Sequence, residues 1–223
     1  MQSRFRDRAQ AGQRLAELLG QYAHRNDVIV LALPRGGVPV GFEVARTLNV
    51  PLDVFIVRKL GVPWQPELAM GAIASNDTVV FNDNVLDQLG GNELVESVIA
   101  RERVELQRRE RMYRDDQPPP EIRNRVVILV DDGLATGATM RAAIQAIRSQ
   151  GPARIVVAVP VGSPDVCASI SKLVDEMICA ITPDAFYAVG LWYDDFSETS
   201  DADVRDLLRE AQQFEHETSE GES

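Results

Sequence analysis

Cysteine, histidine and lysine are nearly missing from this sequence. Its two cysteines, Cys167 and Cys179, and two histidines, His24 and His216, have no spacing that suits a zinc site. Two thiols also make no disulfide framework, so both are expected to be reduced, buried packing residues, as in a cytosolic protein. No apolar run approaches the roughly 20 residues that span a bilayer; stretches such as Val28 to Leu33 fall far short. The arginine-rich opening, Met1 to Arg14, lacks the apolar core of a secretory signal. A soluble, cytoplasmic chain is expected. The net charge of −11 is unevenly spread, because residues 194–223 hold eleven acids against two bases. The body is nearly neutral, which excludes a nucleic-acid patch or a membrane-binding face from the totals. The 223 residues suffice for a substantial core.

What the chain does have is strands alternating with helices. Helices are expected over 5–20, from after Gly37 to about Leu48, and over 164–175. Strands are expected over 28–33, 52–57, 69–74, 78–81, 154–160 and 176–181, and from Val127 up to the acids at 131. That alternation predicts an α/β fold with a doubly wound parallel sheet. Residues 60–68 hold two prolines and a glycine and read as a loop. Residues 83–117 read as a helical insertion, whose long helix at 92–114 interleaves Arg101, Arg103, Arg108, Arg109, Arg111 and Arg114 with Glu102, Glu105 and Glu110. Such a pattern is a solvated, ion-paired face. The organisation is thus one domain over 1–214, with an acidic, frayed tail at 215–223.

The most informative run is Val127-Ile128-Leu129-Val130-Asp131-Asp132-Gly133-Leu134-Ala135-Thr136-Gly137-Ala138-Thr139-Met140. A buried parallel strand is apolar throughout, so Asp131 marks its carboxyl end, where open α/β sheets bind ligands. The small residues that follow let backbone N–H groups approach an anion at a helix amino end. A phosphate fits that turn but not two carboxylates, which need hydroxyls or a divalent cation. No lysine follows Gly137, which excludes a Walker loop, and the glycine spacing excludes the dinucleotide fingerprint. A second strand end runs into Pro34-Arg35-Gly36-Gly37, another anion turn. Arg58-Lys59 is a dibasic pair, and Lys59 is one of only two lysines beside 21 arginines. The implied ligand carries a ribose, a monophosphate and a second polyanion.

These residues resemble the type I phosphoribosyltransferases. By that resemblance Asp131 and Asp132 hold the ribose hydroxyls of phosphoribosyl pyrophosphate, and Gly133, Leu134, Ala135, Thr136, Gly137, Ala138 and Thr139 form the 5′-phosphate loop. Arg35, Gly36 and Gly37 resemble the family's pyrophosphate loop, often built on a cis peptide, and Arg58 and Lys59 its basic pair. The loop 60–68 takes the place of a mobile lid, in which Glu67 is a candidate for proton handling. Tyr187 to Asp194 is similar to the purine-binding segment of hypoxanthine-guanine phosphoribosyltransferases: Tyr187 and Val189 would meet the base and Asp194 a Mg2+ ion, while Trp192 and Tyr193 read equally well as core. Ala135 departs from the oxopurine enzymes, which carry an aspartate there. The lysine those enzymes use to read the base has no counterpart. The resemblance therefore implies pyrophosphate-releasing transfer to a nucleobase-like acceptor, by an expected homodimer with Mg2+ as cofactor. A non-catalytic sensor with the same fold is the alternative reading. Neither a membrane nor a nucleic acid is expected as a partner.

Overall fold

Five strands that are apolar on both faces form one parallel sheet, in the order β2-β1-β6-β7-β8. These are β1 (Val28–Ala32), β2 (Leu52–Val54), β6 (Val126–Val130), β7 (Arg154–Val161) and β8 (Glu176–Ile181). A computed structural model describes residues 4–82, 85, 92–115 and 117–220, with the backbone alone for 66, 67, 92 and 214–220. Every residue of β1 and β6 is buried, as strands covered on both faces must be. Side chains alternate between the two layers. Val28, Val30, Val126 and Ile128 face α1 (Arg8–Leu18), α2 (Gly37–Leu48) and the last helix, α6 (Asp201–Glu220). Ile29, Leu31, Val127 and Leu129 face α4 (Ala138–Arg148) and α5 (Pro164–Ser171). The parallel α/β sheet expected from the sequence is present.

Local chemistry sets the ends of the elements that carry the site. Asp7 caps α1 by accepting from the Gln10 amide at 2.8 Å. Helix α2 ends at Asn49, whose left-handed φ of 53° suits an asparagine C-cap. In the first strand pairs, Val30 lies opposite Leu52 and Ile128, so the strand ends at Ala32 and Val130 fall side by side.

A second, three-stranded antiparallel sheet holds β3 (Val57–Val62), β4 (Gln65–Ala74) and β5 (Thr78–Phe81). This corrects two expectations. Residues 60–68 are not an open loop but the end of the β3–β4 hairpin, with the exposed Trp64 at its tip. Strand β2 stops at Val54, and Arg58-Lys59 belongs to the small sheet instead of the main one. The chain crosses over at Phe55 and Ile56, whose amides are taken by Ala32 O at 2.9 Å and Ser75 Oγ at 3.0 Å. Backbone pairing satisfied in a hairpin outweighs the two prolines, which occupy its turn and the start of β4.

Helix α3 (Asn92–Arg114) packs on β3, β4 and α6. Of the expected insertion at 83–117, Val85, 92–115 and Gln117 fall in the described part. Arg108 and Arg109 pair with Glu105 as their spacing implies, while Arg103 pairs with Asp77 outside the helix. Arg114 differs from the expected solvated face. It is buried, bonded to Asp53, Glu110 and the carbonyl of Val54, and ties α3 to β2. Helix α6 runs to Glu220, into the stretch expected to be frayed.

Candidate active site

The ends of β1 and β6 bring the two anion turns together. Leu33 N donates to Val130 O at 2.9 Å, so the chains enter their turns in contact. A Cβ on Gly37 would lie 2.9 Å from Val130 O and 3.0 Å from Asp131 Cα. The start of α2 therefore rests on the first acid, and only glycine allows it. A cis peptide joins Pro34 to Arg35. Arg35 pairs with Glu198, a partner that no spacing in the sequence points to.

Asp131 and Asp132 occupy different environments. Asp131 accepts from the amide of Asp132 at 2.8 Å. Burial, then the neighbouring charge of Asp132, holds its carboxyl well above the usual range. Burial also raises Asp132, but the charge and hydrogen bond of Arg8 oppose that push. Arg8 was not among the expected site residues; it stands at the start of α1, with Nε 2.9 Å from Asp132 Oδ2. The carbonyl of Asp132 accepts from Tyr193 Oη at 2.6 Å. Burial, then the charge of Asp132, raises the Tyr193 phenol, so it stays a donor.

The phosphate turn divides into a structural half and an open half. Gly133 is buried, and Leu134 is buried and bridged to β7: its amide donates to Val161 O at 2.8 Å, and its carbonyl accepts from Ser163 N at 3.1 Å. Leu134 therefore cannot offer its N–H to a phosphate, which narrows the expected cradle. Ala135, Thr136, Ala138 and Thr139 are exposed, and Gly137 between them turns with a φ of 74° into the amino end of α4. That open half carries the helix-terminus field.

The segment 187–194, expected to meet the acceptor, folds back over this turn. Val189 presses on Gly133, while Tyr187 is 84% exposed and stacks on nothing among the described residues. Tyr193 is buried against Phe5, and Trp192 packs partly with them, so these two are core residues. Asp194 is exposed, and its amide bonds Phe5 O at 2.8 Å.

The remaining expected residues lie on the small sheet. Arg58 is held by Glu102 of α3 at 2.6 Å. Lys59 lines a cavity of about 590 Å³ with Ala138 and Thr139, between the small sheet and α4. Glu67 lies on β4, and its side chain is outside the described residues. No group of three or more acidic, histidine or cysteine side chains among the described residues could by itself hold a metal ion. At the site described, a Mg2+ ion fits when a ligand's oxygens supply most of its shell.

Paired acids and a glycine turn thus stand at the carboxyl edge of a parallel α/β sheet, the place where such sheets bind ligands. The phosphoribosyl transferase domain model matches residues 2–195, and the chain belongs to that family. It is 46% identical over 211 residues to "Putative phosphoribosyl transferase Rv0571c" of Mycobacterium tuberculosis H37Rv, covering 93% of this chain and 47% of that one. The same figures hold for "Putative phosphoribosyl transferase MT0597" of strain CDC 1551. The chain thus spans about half the length of the curated relatives it matches. Among solved structures it is similar to TT1426 of Thermus thermophilus, at 43% identity and a TM-score of 0.83, covering 93% of this chain and 98% of that one. No helix among the described residues is long and apolar enough to cross a membrane.

Proposed function

We propose that this chain transfers the phosphoribosyl group of phosphoribosyl pyrophosphate to a nucleobase-like acceptor and releases pyrophosphate. One observation carries the reading: paired carboxylates stand between two glycine turns, one with the exposed residues Ala135, Thr136, Ala138 and Thr139 and one with Arg35. Asp131 and Asp132 hold the ribose hydroxyls, the turn holds the 5′-phosphate, and Arg35 to Gly37 take the diphosphate. In the reaction the C1–O bond to diphosphate breaks as a C1–N bond to the acceptor forms, and the acceptor loses its N–H proton. Little covalent work falls to the protein, so positioning and charge carry the rate. Lys59, on the hairpin beside the phosphate turn, supplies a compact charge for the departing diphosphate. Arg58 joins it by exchanging Glu102 for the ligand. Glu67 is the proposed proton handler. Mg2+ bound to the diphosphate supplies further neutralisation when present, with Asp194 as its protein contact.

Tyr187 favours a planar acceptor, since an exposed aromatic beside the site is a stacking platform. Ala135 supplies no acid, so the loop itself favours no oxopurine. The test incubates the protein with phosphoribosyl pyrophosphate, Mg2+ and a panel of nucleobases and follows pyrophosphate. Release that depends on one base supports transfer. Release independent of any base, or none, weakens the transfer reading, and saturable binding with no release favours the non-catalytic sensor.

A further inference from the structure

The geometry points to Arg8 as the residue that positions Asp132 to read a ribose hydroxyl, an inference that rests on the phosphoribosyl reading above. Nε and Nη2 of Arg8 both lie 2.9 Å from Oδ2 of Asp132. Its third nitrogen, Nη1, donates to Ser197 O at 2.6 Å, and its plane lies 4.0 Å from the centre of the Phe196 ring. The two side chains are only 12% and 16% exposed, so water does little to loosen the pair. A flat guanidinium fixed on three sides has a single orientation, unlike an ammonium.

Both contacts fall on the same carboxylate oxygen. Oδ2 is turned toward Arg8 and Gly36, and Oδ1 is not engaged by the arginine. A Cβ on Gly36 would lie 2.0 Å from Oδ2 and 3.4 Å from Arg8 Nε, so the pair closes only over a bare backbone. Arg8 thus sets the angle of the second acid and opposes its protonation beside the first. A carboxylate that is charged and fixed accepts a hydroxyl; one that rotates or takes up a proton loses that selectivity. Arg8 does this without touching the sugar. The same side chain ties the start of α1 to the segment carrying Phe196 and Ser197, so two segments 189 residues apart meet at one acid.

Calorimetry with ribose 5-phosphate, 2-deoxyribose 5-phosphate and inorganic phosphate tests the inference. The wild type should prefer ribose 5-phosphate to its deoxy analogue. Arg8→Ala should lose that preference and bind ribose 5-phosphate about tenfold more weakly, the cost of a charged hydrogen bond. Its affinity for inorganic phosphate should stay unchanged. Arg8→Lys, which keeps the charge without the fork, should fall between. Adding Arg8→Ala to Asp132→Asn should cost nothing further, because the two act as one unit. A parallel loss of phosphate affinity in Arg8→Ala and Arg8→Lys would mean a structural role only and overturn the inference. Retained preference in Arg8→Ala would overturn it while leaving the phosphoribosyl reading intact. A wild type with no preference would remove that reading and the inference with it.

Discussion

Val189 closes directly on Gly133: a Cβ at residue 133 would lie 2.4 Å from Val189 Cγ1 and 2.7 Å from Cγ2. The segment that would meet the acceptor is therefore seated on the turn that follows the two acids. Gly133→Ala should push Val189 away and weaken both stability and ligand binding, with an overpacking cost of about 1–3 kcal/mol. Adding Val189→Ala should recover most of the melting temperature, because it removes the atoms in conflict. If the single variant melts like the wild type, the contact is looser than described.

Gly36→Ala tests the join between the diphosphate turn and the second acid. Its new methyl would fall on Asp132 Oδ2, so the carboxylate has to rotate away from Arg8. Affinity for phosphoribosyl pyrophosphate should drop by at least about tenfold. Thermal stability should also fall, since Asp132 loses its partner. Undiminished affinity would count against Asp132 as a ribose ligand.

Asp131 predicts a conflict between stability and function. Its carboxyl is raised mainly by burial, so the folded state disfavours the charged form. For such a group the favourable contribution is present below the ordinary carboxylate pKa and lost as pH rises through the folded value. Asp131→Asn keeps the oxygen that accepts from the Asp132 amide and removes the charge. The variant should melt higher than the wild type at pH 7, and the gain should shrink toward about pH 4, where both are neutral. It should also lose phosphoribosyl pyrophosphate binding. Thermal melts across pH decide this, and a variant less stable at pH 7 would contradict it.

Lys59 bears on the departing diphosphate. Lys59→Ala should slow turnover more than it raises KM, because its charge matters most as negative charge builds up. A pure rise in KM would instead make it a binding residue.

The parts of this molecule legible in its sequence are those governed by local patterns. The five apolar strands, the Asp131-Asp132 pair and the glycine turns were readable because periodicity and strand-end charge act over a few residues. The hairpin at 57–74 was not, because Pro63, Pro66 and Gly61 signal a loop while register with β4 and β5 decides otherwise. Arg114 reads as surface from its helix spacing, yet Asp53, 61 residues away, draws it inside. Arg8 meets Asp132 across 124 residues and Arg35 meets Glu198 across 163, distances at which no motif spacing operates. The acid pair and the glycine turns were legible because each is a run of neighbouring residues. The contacts that orient it depend on how the sheet edge gathers remote segments.

In the proposed reaction Asp131 and Asp132 bind the ribose of phosphoribosyl pyrophosphate. Calorimetric titration of phosphoribosyl pyrophosphate with Mg2+ into the wild type and into Asp131→Asn/Asp132→Asn tests it most directly. Saturable binding by the wild type and none by the double variant, with both proteins folded by circular dichroism, is the expected result. Equal affinity in the two would contradict the account.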